Sequence, residues 1–222
     1  MEYRVRKIEF GVMRYGEALE RQEALFEEVK SGSDGAFVVV EHPHVYTLGK
    51  SGDDGNLLID EKRLESLGVE FHRTNRGGDI TYHGYGQVVG YPIVDIVKMG
   101  ISLREYIWGL EQMIIDVMGE YGIVSQRVSS ATGVWVDGGT PKARKIAAIG
   151  VKASRGVTMH GFALNVATDL SYFGYINPCG MTLGVTSMEK QGVNVNFKEV
   201  SDRLFSYFES GEFLRAIENA RN

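Results

Sequence analysis

Between Ser102 and Gly122 the chain carries a segment whose pattern suits little other than an amphipathic helix. Leu103, Tyr106, Ile107, Leu110, Met113, Ile114, Val117 and Tyr121 recur at the three- and four-residue steps that place side chains on one helical face. Ser102 and Glu105 have the spacing of a capping box, and Gly122 is a natural stop. Such a face, Met113 included, is for packing, and other layers must cover it.

The remaining segments offer those layers. Tyr3 to Phe10 alternates as a strand does, and Tyr15, Ala18, Leu19, Gln22, Leu25, Phe26 and Val29 then fall at helical spacing, closed by Gly32. Ala36 to Glu41 is a β-branched run between a glycine and Pro43, which predicts a buried strand. Thr47 to Gly55, rich in glycine and aspartate, predicts a loop. Gly133 to Val136 and Lys145 to Val151 read as two strands of a hairpin joined through Asp137, Gly138, Gly139, Thr140 and Pro141, and Val157 to Val166 as a further strand. A last long helix starts near Asn196, with Glu199 three residues on, and a short helical tail runs from Glu212 to Ala220. No repeat, low-complexity tract or linker divides the chain. Strands and helices in mixed order predict one α+β domain over residues 1–222.

Composition sets the surroundings. With 43% hydrophobic and 24% charged residues the chain resembles an ordinary globular protein. Its one cysteine, Cys179, cannot close an internal disulfide, the N-terminus is charged where a secretory signal needs an apolar run, and no stretch has the length of a membrane span. The expected setting is cytoplasmic, with no membrane partner. A net charge of −5 argues against nucleic acid as the main partner. One basic island interrupts it: no acidic residue falls between Asp137 and Asp169, while Lys142, Arg144, Lys145, Lys152 and Arg155 do. That island reads either as a guarded strand edge or as a docking surface for an acidic partner.

Three stretches could carry chemistry. In Arg76-Gly77-Gly78-Asp79-Ile80-Thr81-Tyr82-His83-Gly84-Tyr85-Gly86-Gln87, four glycines let the backbone approach a ligand while Arg76 offers a forked donor set; a plain hairpin explains the same residues. In Lys145-Ile146-Ala147-Ala148-Ile149-Gly150, a lysine opens an apolar run, where it needs a partner or must reach along its own stem to water. His160-Gly161-Phe162-Ala163-Leu164-Asn165 follows, and Gly150 and Gly161 could open room for a substrate between strands. In Asn177-Pro178-Cys179-Gly180 the cysteine sits on a turn. A lone cysteine is either a small buried hydrophobe or a nucleophile whose thiolate needs a nearby cation or base, with Lys145, His83 and His160 as candidates. His42 and His44 lack the further ligands of a metal site, and no metal or cofactor is expected; there is no GxxxxGK loop.

Taken together, RGGDITYHGYGQ, GVW with KIAAIG, HGFALN and INPCG resemble, in order and spacing, the octanoyltransferases of lipoate biosynthesis, over about Val38 to Ser187. The resemblance implies the catalytic-domain fold of biotin and lipoate protein ligases, a mixed, largely antiparallel sheet with packed helices. It implies transfer of an octanoyl group from octanoyl-acyl carrier protein to a lysine of lipoyl domains, in 2-oxoacid dehydrogenase E2 subunits and glycine cleavage H protein, through a thioester intermediate. By that match Cys179 is the nucleophile and Lys145 the lysine that tunes it and serves as acid and base. Arg76, Gly77, Gly78, Asp79, Ile80, Thr81, Tyr82 and His83 form a first substrate-binding segment, Ala148, Ile149 and Gly150 a second, and Gly161, Phe162 and Ala163 a third. Tyr85 departs from the family's usual proline in HGPGQ. Two other functions fit such a fold: an ATP-dependent lipoate or biotin ligase, and a non-catalytic module that binds lipoyl domains or acyl carriers.

Overall fold

The computed structural model describes residues 3–129, 131–177 and 184–221. In chain order the elements are β1 (Val5–Val12), α1 (Tyr15–Lys30), β2 (Gly35–Glu41), β3 (Val45–Leu48), α2 (Glu61–Leu67), β4 (Glu70–Arg73), β5 (Ile80–His83), β6 (Gln87–Ile93) and α3 (Leu103–Glu120). They continue with β7 (Gln126–Val128), β8 (Ala131–Val136), β9 (Arg144–Ser154), β10 (Val157–Asn165), β11 (Gly184–Val185), α4 (Phe197–Glu209) and α5 (Glu212–Arg221). A larger sheet has the order β1-β2-β6-β10-β9-β8-β7, with β11 beside β9, and a smaller one the order β4-β3-β5. Among the described residues, β1 with β2, β11 with β9, and β3 with β4 run parallel, and the other neighbours are antiparallel. The architecture is α+β with a mixed, largely antiparallel sheet.

The larger sheet is covered on both faces, which is why Ala36–Glu41 reads as a continuous apolar run. Phe37 and Val39 join the core under α3, α4 and α5, while Ala36, Val38 and Val40 join the one under α1. The α3 helix forms as its sequence demands. Ser102 Oγ accepts from the Glu105 N–H at 3.3 Å, and Glu105 Oε2 accepts from the Ser102 N–H at 2.7 Å, the reciprocal bonds of a capping box. Tyr106, Leu110, Met113, Ile114 and Val117 are fully buried, each worth roughly 2 kcal/mol relative to exposure. Asn196 caps α4 by accepting the Glu199 N–H at 2.8 Å.

Some boundaries differ from expectation. β1 runs on to Val12 because a register shift between Glu9 and Gly11, with Gly11 at φ 65°, lets the strand continue past an extra residue. Thr47 and Leu48 belong to β3, and the expected loop begins only at Gly49. The Arg76–Gln87 stretch is not a hairpin. β5 pairs with β3 in the smaller sheet and β6 with β2 and β10 in the larger, so Gly84–Gly86 hands the chain from one sheet to the other.

Candidate active site

That transfer leaves a cavity of about 660 Å3 between the sheets. The larger sheet provides Val89, Tyr91, Trp135, Lys145, Ala148, Ile149, Gly150, His160, Phe162, Ala163 and Asn165; the smaller sheet and the segment leading into it provide Arg76, Gly78, Asp79, Ile80, Thr81 and His83. Leu170, Phe173 and Gly174 of a short 3-10 helix and Ile176 close one side. All three expected substrate-binding segments therefore meet in one place. Two of their residues do not line it. Tyr82 alternates with Thr81 and His83 and packs into the smaller sheet's own apolar cluster, and Gly77 donates its N–H to Val151 O at 2.9 Å instead.

Lys145 reaches this cavity through an irregularity of strand pairing. Val134 pairs with Ala147 but Trp135 pairs with Lys145, so β9 carries one extra residue, Ile146, at that point. The bulge lets Ile146 and Ala147 both enter the helix-side core. It also inverts the alternation, placing Lys145 on the same face as Ala148 and Gly150. Opposite it Gly133 has φ 124°, and a Cβ there would lie 2.6 Å from Ala147 O and 3.4 Å from Lys145 Cε. Gly133 turns its N–H to the buried carboxylate of Glu111 on α3 at 2.9 Å; Arg127 Nε binds the other oxygen at 2.9 Å. The Lys145 ammonium stands 4.7 Å from the Trp135 ring centroid, a cation–π arrangement.

The glycines serve a different purpose from the one expected. At Gly161 the space of a Cβ is taken by Gly90 O, 2.2 Å away, and at Gly150 by Gly77 O, 2.8 Å away. Both let neighbouring backbone close in; the room left for a ligand lies beside the small alanines Ala148 and Ala163. Arg76 is likewise turned inward: its guanidinium donates to Thr47 O at 2.6 Å, Thr47 Oγ1 at 2.9 Å, Gly77 O at 3.0 Å and Asp79 O at 2.7 Å. Burial lowers its pKa, and the Asp79 charge opposes that.

Three histidines around the cavity are held neutral. Burial lowers His83 to about 3, His160 to about 3 and His42 to about 4. His83 lies between Gln87 Oε1 at 2.8 Å and Thr47 Oγ1 at 3.4 Å, and His160 Nε2 binds Asn75 Oδ1 at 2.8 Å from a left-handed backbone of φ 60°. Neither is placed to gain a proton near neutral pH. His42 bonds Met13 O and the Tyr91 hydroxyl, and His44 the Tyr82 hydroxyl. Among the described residues no group of three His, Cys, Asp or Glu could hold a metal ion. Tyr85 is half exposed, its ring edge-on to His44 at 5.3 Å, so the residue in place of the family's proline lies at the surface.

Gln87 and Asn165 stand within the motifs but outside the three expected binding segments, yet both line the cavity and are nearly buried. The signal was there: each is an amide in an otherwise apolar run, and buried polar groups need partners. Gln87 Nε2 donates to Asn165 Oδ1 at 2.9 Å, and Asn165 Nδ2 to Thr186 O at 3.0 Å. The basic island divides in space. β9 rises about 3.3 Å per residue, which carries Lys152 and Arg155 to the end far from Lys142 and Arg144, and Arg144 is paired with Asp137 at 2.6 Å.

Cys179 lies outside the described residues. Ile176 and Gly184, on either side of its segment, both line the cavity, and Val185 pairs with Lys145.

The lipoyl protein ligase A/B catalytic domain family matches residues 14–209. An octanoyltransferase of Christiangramia forsetii is 49% identical over 214 residues, covering 90% of this chain and 92% of that one. One of Solibacter usitatus is 51% identical over 201 residues, covering 90% and 89%. The chain belongs to the octanoyltransferases of this family. It is accordingly a transferase enzyme. In structure it is similar to a lipoate protein ligase from T. acidophilum with bound lipoic acid, at a TM-score of 0.70 and 18% identity over 97% of this chain and 87% of that one. It is also similar to the biotin protein ligase of Aquifex aeolicus, at 0.52 and 14% over 99% and 72%. At such identities these two establish the shared fold alone. No described helix is long and apolar enough to cross a membrane.

Proposed function

We propose that the chain, as one catalytic domain, moves an octanoyl group from octanoyl-acyl carrier protein to a lysine of a lipoyl domain, by way of an octanoyl thioester on Cys179. The acceptors would be lipoyl domains of 2-oxoacid dehydrogenase E2 subunits and glycine cleavage H protein. The observation that carries this reading is the position of Lys145: it lines the cavity and is paired with Val185, on the strand that follows the Cys179 segment. In the first half-reaction the Cys179 thiolate, favoured by the Lys145 ammonium, adds to the thioester carbon. The carrier sulfur leaves with the C–S electron pair and takes the Lys145 proton. In the second, the acceptor amine adds to the octanoyl-cysteine, neutral Lys145 takes the amine's proton, and Cys179 leaves as thiolate. Thioester to amide runs downhill without ATP. Val89, Ala148, Ile149 and Ala163 give the acyl chain an apolar bed; six methylenes at about 0.8 kcal/mol each supply roughly 5 kcal/mol of binding.

Incubation with octanoyl-acyl carrier protein in the absence of ATP should add one octanoyl group to the wild type, visible by intact mass and labile to hydroxylamine, and none to Cys179→Ser. Transfer to a lipoyl domain that appears only with ATP, and without an adduct, would make the chain a ligase. Binding without adduct or transfer would make it a non-catalytic module.

A further inference from the structure

The buried polar chain along the cavity floor has a defined direction. Gln87 Nε2 donates to Tyr82 O at 3.1 Å and Asn165 Nδ2 to Thr186 O at 3.0 Å. Carbonyl oxygens only accept, so these two bonds assign the orientation of both side-chain amides. The remaining bonds agree: Gln87 Oε1 is left to accept the His83 Nδ1–H at 2.8 Å, and Asn165 Oδ1 accepts the second Gln87 Nε2 hydrogen at 2.9 Å. Gln87 thus has both of its hydrogens engaged. Asn165 has one, and among the described residues its second Nδ2 hydrogen meets no acceptor. Asn165 is 4% exposed and lines the cavity. It is also tied to the reacting end. Thr186, whose carbonyl holds it, donates its own N–H to Lys145 O at 2.9 Å.

From this geometry we infer that Asn165 Nδ2 is an oxyanion donor of the acyl-transfer reaction, a catalytic residue that touches the acyl carbonyl oxygen. The assignment rests on the acyl-cysteine reading above. When the thiolate sulfur adds to the carbonyl carbon, the C=O π pair moves onto oxygen, and the pair returns as the carrier sulfur leaves; the same shift recurs when the acceptor amine adds. A neutral N–H clamped by two anchored neighbours meets that charge without having to reorganise, which is the condition under which such donors accelerate reactions. The two histidines that line the cavity, His83 and His160, cannot share the task as cations, since they remain neutral.

The test is single-turnover octanoylation of Cys179 from octanoyl-acyl carrier protein, followed by intact mass, with Asn165→Ala and the near-isosteric Asn165→Asp. Both variants should acylate about 100-fold more slowly, with the half-saturating carrier concentration within about threefold. Repeating the assay with the dithioester donor, whose C=S sulfur is a poor acceptor, separates contact from structure. The wild type should be slowed much more by sulfur than Asn165→Ala is, since the two changes remove one hydrogen bond. Equal sulfur penalties in wild type and variant, or acylation of Asn165→Ala at the wild-type rate, would overturn the assignment and leave the acyl-cysteine reading standing. Absence of any adduct on the wild type would overturn both.

Discussion

The two sides of the larger sheet are built on different principles. Toward α3, α4 and α5 it presents a continuous apolar surface, in which Phe37, Val88, Ile146 and Leu164 meet Leu110, Met113, Leu204 and Phe213. Toward the cavity it presents a bulge, the neutral His160 at φ 60° and a linked pair of amides. The helix side is interchangeable apolar volume, and its stability scales with area. The cavity side depends on individual atoms, each placed by a partner several elements away. Stability and activity should therefore separate by side.

Acid gives the widest separation. His42, His83 and His160 have folded-state pKa values near 4, 3 and 3, below the 6.5 expected when unfolded. As pH falls below 6.5 the unfolded chain takes up protons that the folded chain refuses, so stability is full above 6.5 and is lost toward pH 4. Three groups at 1.36 kcal/mol per unit predict a loss of about 5 kcal/mol between pH 7 and 5. Urea titrations across that range would check it, and a flat profile would mean that the cavity side opens to water before it unfolds.

A pair of substitutions comes next. Lys145→Ala should slow transfer by about 10³-fold with little change in melting temperature. Leu110→Ala, fully buried on the opposite side, should remove about 3 kcal/mol of stability and leave the rate per folded molecule unchanged. Denaturation and initial rates on both proteins decide the matter; comparable rate losses in the two would erase the distinction between sides. The smallest effect belongs to Ser102→Ala. Loss of the capping hydroxyl should lower stability by about 1 kcal/mol without a change in rate, measurable as a small drop in urea midpoint at constant slope.

What could be read without the structure follows the same division. The Ser102 cap, the buried stripe of α3 and the Asn196 cap of α4 are set by residues three and four apart, so local spacing reveals them. The convergence of Arg76–His83, Ala148–Gly150 and Gly161–Ala163 on one cavity was expected from the family resemblance, since their separation in sequence hides it. Tyr82 belongs to the first segment yet packs away from the cavity, because a motif names consecutive positions, whereas a strand turns every second one away.

The sequence alone specifies the fold class, the α3 and α4 helix starts and the runs of β1, β2, β8, β9 and β10, because periodicity and capping are short-range. It also grouped Lys142, Arg144, Lys152 and Arg155 into one island, which an eleven-residue strand then drew apart. Pairing between β8 and β9, by contrast, makes Ile146 the extra residue that turns Lys145 into the cavity. Asn165 is likewise left with one N–H over a floor shared by four motifs. Both depend on strand register, which is set by partners many residues away and leaves no mark on the spacing of nearby residues.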